Sequence, residues 1–259
     1  MHVLKGVTMA TGLTVTAGVT ATTTIKPLDY DNTVLSKTTP NLAHYTNTLV
    51  NQTLWNRNDL SRRDRSLVTV AALVAMGKSE QISAPVTYGL QHGLTPTELN
   101  ETLLQLAFYC GWPNVLPAVR VLERIYQQRQ IIPAADGDEK SLILDATAEA
   151  ARLKVVNDTV RPYVPGLADD TDQILFGELW RRPQLTPRDR SLVTMAALLA
   201  MGQAQQLGYH LNRAMDNGLT AKEAGGVVSH LAYYIGWPRA FSAVTVVRDV
   251  QQKRATPSK

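Results

Sequence analysis

The sequence predicts an all-α protein in which one helical unit is written twice and the two copies pack with pseudo-twofold symmetry. Three observations predict this. A stretch of about seventy residues starting at Leu54 returns from Leu179 without a gap, with about thirty positions identical. Within each copy the apolar residues recur at helical spacing. The breaks between them carry capping residues, glycine and proline, and no run alternates as a strand does.

The elements follow in order. Ser61-Arg62-Arg63-Asp64 and Thr186-Pro187-Arg188-Asp189 are capping-box-like starts, the second with proline at the first helical position. An Ala-rich apolar helix follows to Gly77 or Gly202, with Leu67, Val70, Ala71 and Val74 on one stripe. A second helix ends at Gly93 or Gly218, which read as C-terminal caps. Thr95-Pro96-Thr97-Glu98 and Thr220-Ala221-Lys222-Glu223 start a third helix. It ends at Gly111-Trp112-Pro113 or Gly236-Trp237-Pro238, where the proline opens a fourth. Short links of this kind suit an antiparallel bundle.

The expected organisation is a Thr-rich segment over 1–40, a first copy over 41–130, a connection over 131–170, a second copy over 171–252 and a tail over 253–259. The connection carries a polar turn at Ala135-Asp136-Gly137-Asp138, then a helix near 141–158, then Pro162 and Pro165. Lys5 and the stretch Gly6–Thr24 faintly resemble a secretory signal, but threonines interrupt the apolar part. A cytoplasmic location is the expectation, export the alternative.

Composition removes several classes. With 44% hydrophobic and 19% charged residues among 259, the chain is neither disordered nor collagen-like. No apolar run approaches the ~18–20 residues of a membrane helix. The 26 Lys+Arg nearly balance 22 Asp+Glu and form no stripe, so no nucleic-acid partner is expected. Cys110, the single cysteine, excludes an intramolecular disulfide and any multi-thiolate zinc site.

The run Arg-Ser-Leu-Val-Thr-x-Ala-Ala-Leu at Arg65 and Arg190, the Gly-Leu-Thr-x-x-Glu helix start and the Tyr-x-Gly-Trp-Pro turn together resemble the carboxymuconolactone decarboxylase family, whose superfamily includes the alkylhydroperoxidases. In the second copy the likeness extends upstream through Phe176-Gly177-Glu178-Leu179-Trp180. The resemblance implies an all-α fold, a homo-oligomer, no metal and no organic cofactor. It implies two competing chemistries. The peroxidase branch uses a Cys-x-x-Cys pair, a histidine four residues later and a glutamate on the preceding helix. Here those positions hold Gln203, Gln206, His210 and Ser191, and in the first copy Lys78, Gln81, Pro85 and Ser66. A thiol peroxidase needs a thiolate, so the departures point to the decarboxylase branch. There a carboxylated lactone loses carbon dioxide and its own carbonyl takes up the electron pair. The protein places the carboxylate and returns a proton to carbon.

The expected enzyme is therefore a carboxy-lyase acting on a small carboxylated lactone or related acid. His210 and His230 are the expected acid/base residues, with Arg190 or Arg213 as carboxylate anchor. Glu178, Trp180, Tyr234 and Trp237 are expected near the substrate. Arg213 follows His210 by three residues and Tyr234 follows His230 by four, so each pair shares a helix face. Each residue also has a bland reading. His210 suits a polar helix face and His230 a hydrogen-bonded core. Arg65 and Arg190 suit ion pairs with Asp64 and Asp189. Trp180 and Trp237 suit a core, Glu178 a cap, and Cys110 a small buried hydrophobe. His44 and His92 read as surface residues. In the first copy the position of His230 holds Gln105, so both histidines are gone there and the second copy is the expected active unit. The alternatives are a peroxidase reacting through Cys110 and a non-catalytic oligomeric binding protein.

Overall fold

The computed structural model describes residue 28 and residues 30–134 and 139–256. The signal-like stretch and the polar turn at 135–138 lie outside the described residues. Among those residues there are twelve α-helices and no strand. No helix among them is long and apolar enough to cross a membrane.

Two helices form the centre: α3 (Arg62–Ala75) and α9 (Pro187–Met201). Ser61 and Thr186 cap them by accepting the amides of Asp64 (3.0 Å) and Asp189 (3.2 Å). From the first turn to near the end, both are buried on every side. An amphipathic stripe does not require this; the two copies supply it by packing α3 against α9. At their N-termini the arginines cross over. Arg63 reaches Asp189 and Arg188 reaches Asp64, both at 2.8 Å. The expectation that Arg65 and Arg190 would pair with these aspartates is thus corrected: Arg63 and Arg188 do so, because they sit on the face turned toward the other copy.

The remaining helices wrap this pair. In the first copy these are α4 (Ser83–Gln91), α5 (Pro96–Cys110) and α6 (Trp112–Arg129). In the second they are α10 (Ala204–Asp216), α11 (Ala221–Ile235) and α12 (Trp237–Ala255). Thr95–Glu98 and Thr220–Glu223 form complete capping boxes. Gly111 and Gly236 turn the chain at φ 85° and 87°, a region that favours glycine.

The third helices trade places. α5 packs more extensively on α9 than on α3, and α11 more on α3 than on α9. Each copy therefore completes the surroundings of the other's central helix.

Upstream of each copy lie two further helices, of which the second, of six residues, corresponds between the copies. α1 (Asn32–Thr38) and α2 (Pro40–Tyr45) precede the first. α7 (Ala146–Thr159) and α8 (Pro165–Asp170) precede the second. Pro40 and Pro165 open α2 and α8 at the same 125-residue offset. The repeated structure thus reaches into the segment read from sequence as a connection.

Candidate functional site

The exchange of α5 and α11 builds two related clusters, each from both copies. In the first, α3 meets α11. Trp55 Nε1 donates to the Tyr234 hydroxyl at 2.9 Å. Arg65, wholly buried, donates from one guanidinium nitrogen to His230 Nδ1 at 3.1 Å. Thr69 Oγ1 lies 2.8 Å from His230 Nε2 and gives its own proton to the Arg65 carbonyl at 2.7 Å. Arginine only donates and the threonine proton is already used, so Nδ1 accepts and Nε2 carries the hydrogen. His230 is neutral: complete burial, then the charges of Arg65 and Arg57, hold it well below its usual range.

In the second cluster, α9 meets α5. Trp180 Nε1 donates to the Tyr109 hydroxyl at 2.9 Å. Arg190 Nη1 donates to Gln105 Oε1 at 3.2 Å, and Gln105 Nε2 donates to Thr194 Oγ1 at 3.0 Å. Gln105 thus makes both hydrogen bonds that His230 makes. Arg190 is fully buried and also bound to Glu101 and to the Arg182 carbonyl, while its Nε has no partner.

The carboxylates beneath the two arginines come from different places. Glu101 on α5 serves Arg190, and Asp59 in the loop before α3 serves Arg65. The position matching Glu101 is Gly226. A Cβ there would stand 2.8 Å from the Asp59 carbonyl oxygen, so the missing side chain admits the loop that carries Asp59.

The second cluster continues outward. His210 on α10 is 7% exposed and stacks on Trp180 at 5.9 Å between centroids. Tyr109 and Tyr209 meet its ring edge-on at 5.3 and 5.0 Å. Its Nδ1 is buried with no hydrogen-bond partner. Burial, then the nearby Arg213 charge, pulls its pKa down to about 3. The Arg213 guanidinium lies 4.4 Å over Trp180 and 5.3 Å over Phe176. It donates to Glu149 Oε1 at 3.2 Å and to the Tyr209 hydroxyl at 3.3 Å. In the first copy the positions of His210 and Arg213 hold Pro85 and Tyr88. A separate cavity of about 240 Å³ reaches Tyr234 and is lined in part by Lys78 and Gln81.

His210, Arg213, Trp180 and Arg190 therefore belong to one cluster, and His230 and Tyr234 to the other. The two expected acid/base histidines thus lie in different clusters, because the exchange of α11 carries His230 to the first copy's central helix. Arg190, the other expected anchor, is fully buried among protein partners. Trp237 is half exposed and meets Tyr233 edge-on at 5.0 Å in a groove between α11 and α12. Glu178 is exposed. His44 is exposed too, but His92 is half-buried, stacked on Tyr88 at 4.1 Å and bonded to the Tyr88 carbonyl at 2.8 Å. Tyr109, Tyr209 and Glu149 were not foreseen from the sequence, and Gln105 and Phe176 were read there only as a repeat partner and as part of a motif. The 125-residue offset could have flagged Tyr109, as the partner of Tyr234.

The model of the carboxymuconolactone decarboxylase family matches residues 40–124 and again 165–249, more than half of the chain. The chain belongs to that family. Among relatives of this carboxymuconolactone decarboxylase family member, the 4-carboxymuconolactone decarboxylase of Acinetobacter baylyi is 39% identical over 75 residues, 29% of this chain and 56% of that protein. The nitrosuccinic acid decarboxylase of Metarhizium robertsii is 34% identical over 73 residues, 28% of this chain and 51% of that protein. The chain thus spans about half the length of these curated relatives. A solved structure from Burkholderia xenovorans, described as a candidate gamma-carboxymuconolactone decarboxylase subunit, aligns with TM-score 0.51 at 18% identity. It covers 87% of this chain and 92% of that one, a likeness in fold.

Proposed function

We propose that this protein decarboxylates a small carboxylated lactone or related acid without a cofactor, using His210 and Arg213. The observation that carries this reading is the buried, unpartnered Nδ1 of His210 beside the Arg213 guanidinium. A polar atom left unpaired in a protein interior is costly unless a ligand or a water completes it. His230 has no such vacancy, and a glutamine does its work in the other cluster.

In this reading Arg213 holds one substrate carboxylate. The bond from carbon to the departing carboxylate breaks, its electron pair moves onto the lactone carbonyl, and carbon dioxide leaves. Carbon then takes a proton from His210. The imidazole is neutral in the free protein. An arriving dianion raises its pKa, because a negative charge within about 4–6 Å favours the protonated ring. Trp180, Tyr109 and Phe176 wall the site from water. A peroxidase reading gains no comparable support: burial pushes the Cys110 thiol up to about 11, and its Sγ donates to the Leu106 carbonyl. The homo-oligomer implied by the family is supported by two equivalent apolar grooves, one with Trp112 and Leu116, the other with Trp237 and Phe241.

The test assays lactone decarboxylation and peroxide reduction side by side on the purified protein and on His210→Ala. Decarboxylation falling about 100-fold or more in the variant, with an unchanged circular dichroism spectrum, is expected. Full decarboxylation by His210→Ala rejects the assignment.

A further inference from the structure

We propose that Glu149 is an internal carboxylate seated on Arg213, so that an acid enters this site only by displacing it. The inference rests on the reading of Arg213 as the carboxylate seat.

Glu149 lies in the first turn of α7, whose N-cap Asp145 accepts the Ala148 amide at 2.8 Å. Its two oxygens are divided. Oε1 accepts from Arg213 Nη1 at 3.2 Å, and Oε2 accepts from Arg152 Nε at 2.9 Å. Arg152 also donates to Asp172 at 2.7 Å and lies 4.4 Å over Phe176. Phe176 in turn stacks on Trp180, the ring beneath both His210 and Arg213. The helix is thus fastened over the aromatic wall of the site by its own charged residues.

Two features mark this contact as replaceable. First, Arg213 gives Glu149 one long hydrogen bond, while its Nε is buried with no partner. A carboxylate bound in the two-pronged geometry that guanidinium favours would use that nitrogen and compete well. Second, Glu149 released from Arg213 still keeps Arg152, three residues on along the same helix. Displacement therefore leaves no lone buried charge. The ligand class that fits is a small dicarboxylate. One carboxylate takes the seat at Arg213 and the remainder faces His210. Glu149 then acts as a specificity-setting residue, since an uncharged ligand cannot replace it.

Succinate serves as the probe, titrated calorimetrically into the parent, Glu149→Gln and Arg213→Gln, with melting curves to confirm folding. The expected result is binding about tenfold tighter in Glu149→Gln than in the parent, because the internal competitor is weakened, and no binding by Arg213→Gln. In the parent, saturating succinate should also speed hydrogen exchange across α7. Equal or weaker binding by Glu149→Gln, no binding by either protein, or binding retained by Arg213→Gln would overturn the inference. Tighter succinate binding without lactone decarboxylation leaves this inference standing and removes the proposed reaction. The reverse pattern removes the inference alone.

Discussion

Replacing His230 by glutamine separates a structural histidine from a catalytic one. In the parent, His230 accepts from Arg65 Nη1 and donates to Thr69 Oγ1. Gln105 makes the same two bonds to Arg190 and Thr194. His230→Gln should therefore keep both bonds and cost about 1 kcal/mol or less. His230→Ala leaves a charged donor unpaired in a site with no exposure, opens an imidazole-sized void and removes the bond to Thr69. Those losses sum to about 3–5 kcal/mol. At ~2–4 °C per kcal/mol for a chain of this size, the alanine variant should melt on the order of 10 °C below the parent and the glutamine variant within ~4 °C. Circular dichroism melts read the stability, and the lactone assay reads function. Turnover should survive in His230→Gln. A glutamine variant as unstable as the alanine variant would refute the bridging role. A stably folded His230→Gln without activity would move the chemistry to His230.

Acid should destabilise the protein through its buried histidines. Unfolded histidine titrates near 6.5, whereas folded His210 is held down to about 3 and folded His230 well below its usual range. Below about 6.5 the unfolded chain binds protons that the folded chain refuses, so stability present above that pH is lost as pH falls. For His210 the loss continues toward its folded value of about 3. Each histidine contributes ~1.4 kcal/mol per pH unit, or about 2 kcal/mol between pH 6.5 and 5. Urea midpoints at pH 7.5 and 5 should show His230→Gln losing less than the parent by one such share, and an equal loss would contradict the neutral buried ring. The Cys110 thiol, held up to about 11, should react with a disulfide reagent at pH 8 far more slowly than in urea; equal rates would contradict that. Gly226→Ala should cost about 1–3 kcal/mol, because its Cβ meets the Asp59 backbone at 2.8 Å. Gly225→Ala, where nothing lies within 4 Å, should stabilise α11 by about 0.5–1 kcal/mol. Thermal melts of the pair decide it: similar shifts would deny the close approach at 226.

Local features of the fold were legible because their causes are local. Ser61, Thr95, Thr186 and Thr220 cap helices within their own four residues, so spacing alone reveals them. The pairing of His210 with Arg213 is equally local, three residues along one helix. The composite nature of the clusters was not legible. Nothing in the spacing of α5 or α11 says whether it packs on its own copy's central helix or on the other's. That choice decides whether His230 meets Thr69 or Thr194. The exchange of carboxylates is further from view. Glu101 and Gly226 occupy matching positions, as do Asp59 and Gln184, and only the folded loop shows that Asp59 fills the space Gly226 leaves. Glu149 gave no signal, since it belongs to a helix with no role in either sequence motif.

The duplication also works as an internal substitution experiment, and its two outcomes differ in kind. Where one copy has histidine and the other glutamine, at 230 and 105, every hydrogen bond is retained. Such a change preserves a bridge and discards a titratable group, so the bridge is what the position requires. Where one copy has His210 and Arg213, the other has Pro85 and Tyr88. The ring nitrogens and the cation are lost together, and the aromatic wall is kept by Trp55 with Tyr88 edge-on at 5.1 Å. Joint loss is expected of two groups that act on one ligand, since either alone would be a buried polar group without a task. The scaffold of the two clusters is therefore common, and the copies differ where the unpaired imidazole and the Arg213 guanidinium stand side by side.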